Sequence, residues 1–506
     1  MTSTQAQAAS GSRRAMERYV RRTLAVLSTG ALALIAAHIG AALWAQHEVT
    51  QNESAVAIHS LGLASGQGLY HKLGSYPYTV SPYMPLFYAA QAALHRLGLP
   101  PFQAGRLLSI LGLTGILWGV WKILRLCTGE THATWAGTLL AASTANLMFW
   151  GTVGQVDVLG LCFSITALYF FLRYRRAQET RFLLLPGAFV LAALFTKQTL
   201  LAAGFTIFVC LAFENRRRAV RFAVCIAAVG ISLAAGVNYG TSGGFLENTV
   251  FANINPFSFV KFAAQLRYLA PVACGSMLIA LVGLPASIRE GLHPLYIYAG
   301  ASMAVLLSTG SKIGADLNYQ LETMTALALC AGWSLHRLRF FPLCFEKSRS
   351  SVTLLQAPLL VYIALNLVMS GRILSDRISQ EMRRRQEYAQ LRPYLDSAKG
   401  PVISVQFDPL VQSGRRLEVE PLIYTLMVGA GRVDPGPVCR DLAAGKFSLV
   451  ILFEDLLHPA AVPRNAELPS LPAPALDAIR RNYRLVEHIP GSLLAGDYIY
   501  EPAAAN

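Results

Sequence analysis

Between Thr23 and about Gly371 the sequence repeats one pattern, an apolar run of roughly 16–23 residues followed by a short polar or basic connection. A helix needs about 20 apolar residues to cross the hydrocarbon core of a bilayer, and lipid offers its backbone no hydrogen-bond partner outside the helix itself. This part of the chain is therefore confined to a bundle of membrane-spanning helices. With 54% hydrophobic and 14% charged residues, the composition is too apolar for an ordinary soluble protein. The formal charge of +15 raises nucleic acid as a partner. The cations, however, cluster in short connections, at Arg13/Arg14/Arg18/Arg21/Arg22, Arg173/Arg175/Arg176/Arg181, Arg216/Arg217/Arg218/Arg221 and Arg337/Arg339/Lys347/Arg349, as cytoplasmic loops of membrane proteins do. No nucleic-acid partner is expected.

Eleven crossings are expected, at about 23–45, 107–126, 133–151, 157–172, 182–197, 199–213, 219–238, 268–287, 293–309, 318–335 and 353–371. The segment 83–97, YMPLFYAAQAALHRL, is amphipathic and short for a crossing, and is expected to lie flat on the outer surface. With that choice 20 Lys and Arg before residue 350 face the cytoplasm and 7 face outward (Lys72, Arg96, Arg106, Lys197, Lys261, Arg267 and Lys312). Counting the segment as a crossing reverses this bias. The first run is longer than a signal-peptide core and reads as a retained anchor, which makes the N-terminus cytoplasmic.

The domains expected are a disordered basic tail over 1–22, a transmembrane domain over 23–372 with its first outer loop and surface helix at 46–97, and a small extracytoplasmic α/β domain over 373–506. That last domain reads as a basic helix, RISQEMRRRQEYAQLRPYL, then strands PVISVQF, SLVILFE, YRLVEHI and DYIYEP, with a helix near 475–483 before the third strand. An odd number of crossings puts it outside the membrane. Of eight cysteines only Cys439 lies in it, so it holds no internal disulfide.

Ionisable groups at the ends of membrane helices are costly and are functional candidates by default. The expected topology gathers them on the outer side. The first outer loop carries Glu48, Glu53, His47, His59, His71 and a Tyr-rich stretch with Tyr78 and Tyr83. Asp157 opens the fourth span, and Lys197 and Gln198 sit in the tight outer hairpin FTKQT. The loop over 239–267 brings Glu247, Asn248, Asn253, Lys261 and Arg267; the next brings Lys312, Asp316, Asn318 and Tyr319, with Glu322 one turn inside the following span. Each has a structural alternative. Asp157 and Glu322 read equally as paired carboxylates, Lys197 as a cation reaching lipid headgroups, the tyrosines as an interfacial belt, and His59 and His71 as loop or core histidines. No histidine and carboxylate spacing matches a metal site.

The same residues carry a resemblance. NES followed by AVAIHSLGLASGQGLY, then YPYTVSPYMPLFYAA, AGRLLSILG, GQVDVLGL, LFTKQTLL and GSKIGADLNYQLE, in that order and before a soluble outer tail, are similar to the class C (GT-C) glycosyltransferases. These are polytopic bacterial enzymes using polyprenyl-phosphate sugars, related to the protein O-mannosyltransferases and to the aminoarabinose transferases of lipid A. The resemblance implies that the acidic residue of the first loop is the catalytic base. The wider class reads Asp-Glu there and this chain reads Asn52-Glu53, which leaves Glu53 as the expected base and Glu48 as the reserve. It also implies that YPYTVSPY shapes a sugar pocket and that Asp157, Lys197 and Glu322 belong to the site.

The expected reaction is inverting transfer of a sugar from a polyprenyl-phosphate donor to an extracytoplasmic glycan, lipid or protein, in a bacterial inner membrane. It needs a base for the acceptor hydroxyl and cations for the leaving phosphate. Lys197 is the first choice for the phosphate, with Arg267 and Lys312 behind it. Asp157, Gln198, Asn318, Tyr319, Glu322, Tyr78 and Tyr83 are expected to bind sugar or to hold Lys197. A lipid phosphate is already a good leaving group, so no metal or other cofactor is expected. The alternatives are a transporter or flippase of a lipid-linked saccharide, which calls for charges at mid-membrane, and a non-catalytic anchor or sensor for the tail.

Overall fold

The computed structural model describes residues 3–177, 183–253, 255–338, 351–457, 469–491 and 496–503. Its helical part runs in order through α1 (Ser3–Trp44), α2 (Gln51–Ala64), α3 (Pro85–Arg96), α4 (Pro101–Thr128), α5 (Thr131–Ser143), α6 (Ala145–Trp150), α7 (Val156–Ala177), α8 (Leu184–Leu194), α9 (Ala202–Glu214), α10 (Arg216–Gly240), the short α11 (Gly244–Leu246), α12 (Phe259–Arg289), α13 (Pro294–Thr309), α14 (Leu321–Leu338) and α15 (Ser351–Ser397). Among the described residues six helices are long and apolar enough to span a bilayer, in α1, α4, α7, α10, α12 and α15, while α8, α9 and α13 are shorter apolar helices. The chain is thus a multi-pass membrane protein. α3 has 12 residues, which is about 18 Å of helix and too short to cross.

Two expectations change. The N-terminal segment expected to be disordered is helical from Ser3 and continuous with the first span, in keeping with its Ala, Gln, Met and Arg content. The eleventh span and the basic helix after it are one 47-residue helix, α15. The Ser370-Gly371 pair reads locally as a turn signal, but the helix runs through it.

Close contact between α4 and α7 is set by glycines on one face of α4. A Cβ on Gly112 lies 2.9 Å from the Val158 carbonyl oxygen and 3.0 Å from the Leu159 backbone, and one on Gly105 lies 3.1 Å from the Gly154 Cα. Small residues that let helix backbones touch are how membrane helices gain dispersion energy when burial gives no gain. Gly112→Val is expected to cost about 1–3 kcal/mol through overpacking, read as a lower thermal midpoint of the detergent-solubilised protein. Gly40, whose Cβ meets nothing within 4 Å, is the neutral control.

The tail domain forms a four-stranded sheet, β1 (Val402–Ser404), β2 (Leu449–Leu452), β3 (Tyr483–Ile489) and β4 (Asp497–Pro502), in the order β1-β2-β4-β3. β1 and β2 are parallel and the other pairs antiparallel. All four coincide with runs read as strands, and α19 (Ala473–Asn482) with the expected helix. The short α16 (Asp408–Gln412), α17 (Pro421–Gly429) and α18 (Gly436–Ala443) fill the crossover between β1 and β2. One sheet face packs on α18 and α19 through Ile403, Val450, Val438, Leu442 and Ile479. The other shares a core with Leu391 and Leu395 of α15 and Ala57 and Ile58 of α2. The tail is therefore built onto the loop that follows α1.

Candidate functional site

The first outer loop folds back on an ionic clamp. Thr50 caps α2 by accepting the Glu53 N–H, and the Glu53 side chain reaches back to the Val49 N–H, a variant of the capping box. Glu53 is completely buried. Its carboxylate also accepts Arg106 Nε at 2.8 Å, Arg106 Nη2 at 2.9 Å and the Gly154 N–H at 2.7 Å. The same guanidinium donates to the carbonyls of Ala42, Ala45 and His47. Burial alone raises the Glu53 pKa, but the charge and hydrogen bonds of Arg106, with the Gly154 N–H, outweigh it and hold the carboxyl below its usual range. Glu48 is spoken for as well, by Arg384 of α15 at 2.8 Å and by the Ser54 hydroxyl. Burial pushes it up to about 7 against the pull of Arg384.

Glu53 and Glu48, the residues expected as base and reserve, are both buried and hydrogen-bonded in this structure by partners that fix the loop to α4 and α15. Around them His47 pairs with Asp408 at 2.8 Å, and Glu381 accepts the Gln46 and His47 N–H groups.

A second cluster lies where α7, the α8–α9 hairpin, α13 and α14 meet. Lys197 Nζ donates to Asp157 Oδ1 at 2.5 Å and sits 3.7 Å from the centre of the Tyr319 ring. Asn318 Nδ2 donates to Asp157 Oδ2 at 3.0 Å and to Gln155 Oε1 at 3.3 Å, and Gln155 Nε2 reaches Thr50 Oγ1 at the start of α2. Glu322 Oε1 accepts Tyr298 and Ser164 hydroxyls. Asp157, Lys197, Thr199, Ser302, Asn318, Tyr319 and Glu322 line a small cavity of about 20 Å³. Among the described residues two buried amide oxygens here, Asn318 Oδ1 and Gln198 Oε1, find no hydrogen-bond partner. Buried polar atoms are seldom left so without cause.

The Tyr-rich loop forms the outer wall. Gln198 and Asn253 both donate to the Pro82 carbonyl, Asn248 accepts the Ser81 N–H, and Glu247 accepts the Leu73 N–H. Tyr83 stands between loop and hairpin; burial drives its hydroxyl well above the usual range, with Tyr319, Asp157, Glu420 and Asp316 adding to the effect.

The expected site residues thus divide. Asp157, Lys197, Gln198, Asn318, Tyr319, Glu322 and Tyr83 come together. Tyr78 does not line the pocket: it bridges to Val419 of the tail and its ring leans on Tyr424. Arg267 is exposed on α12, and Lys312 is tied into a backbone bridge with Phe257. Gln155 lies inside the GQVDVLGL motif, and no motif surrounds Glu420. Among the described residues no group of three or more His, Cys, Asp or Glu is arranged to hold a metal.

Residues 80–238 match the family model of the dolichyl-phosphate-mannose-protein mannosyltransferases. No curated protein matches the chain by sequence. Among solved structures it resembles ArnT from Cupriavidus metallidurans in the apo state, with 13% identity over 97% of this chain and 99% of that one and a TM-score of 0.60. The same protein bound to undecaprenyl phosphate gives 14% identity, 95% and 98% coverage, and a TM-score of 0.63. The Archaeoglobus fulgidus oligosaccharyltransferase, solved with Zn and sulfate, gives 11% identity, 95% and 73% coverage, and a TM-score of 0.50. The mannosyltransferase match covers the end of the first loop from Val80, α3 to α9 with Lys197, and most of α10, and almost the whole chain shares the fold of ArnT.

Proposed function

We propose that the protein transfers a sugar from a polyprenyl-phosphate donor in the outer leaflet to an extracytoplasmic acceptor, inverting the anomeric carbon. The observation that carries this reading is the pocket itself, a buried ammonium flanked by amide oxygens that lack donors. A lipid phosphate arriving from the bilayer takes Lys197 in place of part of its bond to Asp157. Sugar hydroxyls, which are donors, satisfy Asn318 Oδ1 and Gln198 Oε1. The pocket includes Thr199, Leu200, Ser302 and Val305 from apolar hairpin and α13 positions, which suits a substrate with a lipid tail entering sideways. The ArnT relative was solved with undecaprenyl phosphate, which supports a donor of that class.

In this reading the chain crosses a bacterial inner membrane eleven times, with the N-terminus cytoplasmic and the tail outside. No metal is required, because the phosphate leaves as a stable anion. Supplied with a panel of radiolabelled polyprenyl-phosphate sugars and envelope extract, wild-type membranes are expected to consume one donor, release polyprenyl phosphate and label an acceptor. A chelator is expected to leave the rate unchanged. Consumption of no donor, with lipid-linked sugar changing leaflet in vesicles, overturns transfer in favour of transport.

A further inference from the structure

A groove of about 290 Å³ lies between the ends of α2 and α3 and the tail, lined chiefly by Leu61, Gln67, Arg96, Arg415, Arg416 and Leu417. Its volume is close to the lower end for small-ligand sites, about 300 Å³, and far exceeds that of the cavity beside Lys197. Local chain chemistry puts the three arginines there. Arg96 is the last residue of α3, so its side chain leaves at the helix C-terminus. Arg415 and Arg416 follow Gly414, which ends α16 at φ +63°. The Gly414 N–H bonds the Val411 carbonyl and the Arg415 N–H bonds the Leu410 carbonyl. Glycine takes that left-handed conformation without strain, and the turn delivers both arginines to the groove wall.

Two of the three arginines cover helix ends. Arg96 Nε donates to the Ala64 carbonyl at 2.8 Å and Nη2 to the Leu63 carbonyl at 3.2 Å, at the end of α2. Arg415 donates to the carbonyls of Leu395, Ala398 and Gly400, at the end of α15. Arg416 covers nothing. Among the described residues it makes no hydrogen bond, and its guanidinium stands 5.7 Å from the centre of the exposed Tyr76 ring. Among the same residues none of the three arginines pairs with a carboxylate. Glu418, two residues beyond Arg416, is engaged by the Tyr76 hydroxyl instead. Each helix end carries about half a negative charge, so the ends of α2, α3 and α15 offset only about half of the guanidinium charge. A concave surface of one sign concentrates its field on whatever enters it.

We propose that this groove is a binding site for a phosphate-bearing group, held by Arg416 and Arg96 with Arg415 behind them. A phosphate monoester carries about −1.5 to −2 at neutral pH, close to the charge left over. Its oxygens also suit the planar fork of arginine, which bonds two of them at once. Ser65 and Gln67 add polar groups for the hydroxyls of whatever carries the phosphate, a saccharide or a lipid headgroup. Ser65, at the C-terminal end of α2, stands about 22 Å along the helix axis from Thr50, where α2 joins the Lys197 network through Gln155. The groove is thus separate from the pocket proposed for the donor, and its ligand binds whether or not that reading holds. Two of its arginines come from the tail and one from α3, so an occupant ties the tail to the loop that follows α1.

The test uses full-length protein in phosphatidylcholine nanodiscs: wild type, Arg416→Gln, Arg416→Lys and Lys197→Met/Asp157→Asn. Arg416→Gln removes no hydrogen bond of the fold and is expected to keep the wild-type thermal midpoint. In calorimetric titrations with glucose 1-phosphate, wild type and the double variant are expected to bind alike. Arg416→Gln is expected to bind at least about tenfold more weakly, as for a lost hydrogen bond between charged groups. Arg416→Lys, which keeps the charge without the fork, is expected to lie between them. That result assigns the groove to a phosphorylated saccharide. A lipid source gives a different one: replacing phosphatidylcholine by phosphatidylglycerol raises the thermal midpoint of wild type more than that of Arg416→Gln. A wild type that responds to neither probe, or an Arg416→Gln protein that responds to both as wild type does, overturns the inference. Glucose 1-phosphate binding that is lost in the double variant and kept in Arg416→Gln places the phosphate at Lys197 and overturns it as well.

Discussion

Lys197→Met is expected to lower transfer by about 100- to 1000-fold, the scale of losing a donor aimed at charge that develops in the transition state. The substitution also strands Asp157, which is 4% exposed and whose strongest partner is the ammonium at 2.5 Å. Breaking a buried pair from one side costs about 3–5 kcal/mol, because the remaining charge stays buried without a counter-ion. Activity and stability therefore fall together in the single variant. The double variant Lys197→Met/Asp157→Asn separates them. It leaves two neutral groups of similar shape, with Asn318 still able to bond the new amide, and is expected to regain most of the wild-type thermal midpoint while remaining inactive. Recovery of transfer along with stability would make Lys197 a structural cation only.

Glu53→Gln has the opposite signature. The carboxylate that neutralises Arg106 is lost inside a completely buried clamp, so about 3–5 kcal/mol of stability goes with it. The rate per folded molecule is expected to change little, since no face of Glu53 is open to substrate. A stable Glu53→Gln protein with a hundredfold lower rate would restore Glu53 as the base. The clamp also has a pH signature. The folded pKa of Glu53 is depressed, so its contribution is fully present above the ordinary value of 4.5 and is lost as pH falls through the lower folded value. The folded pKa of Glu48 is raised to about 7, so its contribution is fully present below 4.5 and is lost as pH rises from 4.5 through 7. Glu418 and Asp497, raised by burial to about 7 and about 6, decline in the same window, so thermal midpoints recorded from pH 4 to 8 are expected to show a shallower decline between 4.5 and 7 in Glu48→Gln and the full decline in Gly40→Ala.

The division between what the sequence disclosed and what it hid follows the range of the interactions. The tail strands are local patterns of alternation, and they lie where the sequence places them, whereas α2 and its cap at Thr50 fall in a stretch that reads as loop. Asp157, Lys197, Asn318 and Glu322 were also legible, because a charge or amide at a membrane-helix end is costly enough to stand out alone. Arg106 was not. It was counted as one more outer cation, and nothing near it in the chain announces a partner 53 residues earlier. Arg416 sits in an ordinary soluble segment where a basic residue does not stand out, and its distinction comes from a groove it shares with Arg96 more than 300 residues away. The continuity of α15 escaped for a related reason: the change from apolar to basic residues marks a change of solvent, and a helix can pass through that boundary without a break.

That continuity carries a mechanical consequence. α15 is about 70 Å long at 1.5 Å per residue, and it enters the bundle at one end and the core of the tail at the other. Ser370 contacts His38 inside the bundle, Arg377 holds Thr152, Arg384 holds Glu48, and Leu391 and Leu395 enter the tail core. Each residue advances the helix by about 100°, so the length of α15 sets both how far the tail stands from the bundle and the direction it faces. Pro393, between Leu391 and Leu395, removes a backbone donor where the helix enters the tail core, so that junction is where the axis bends most readily.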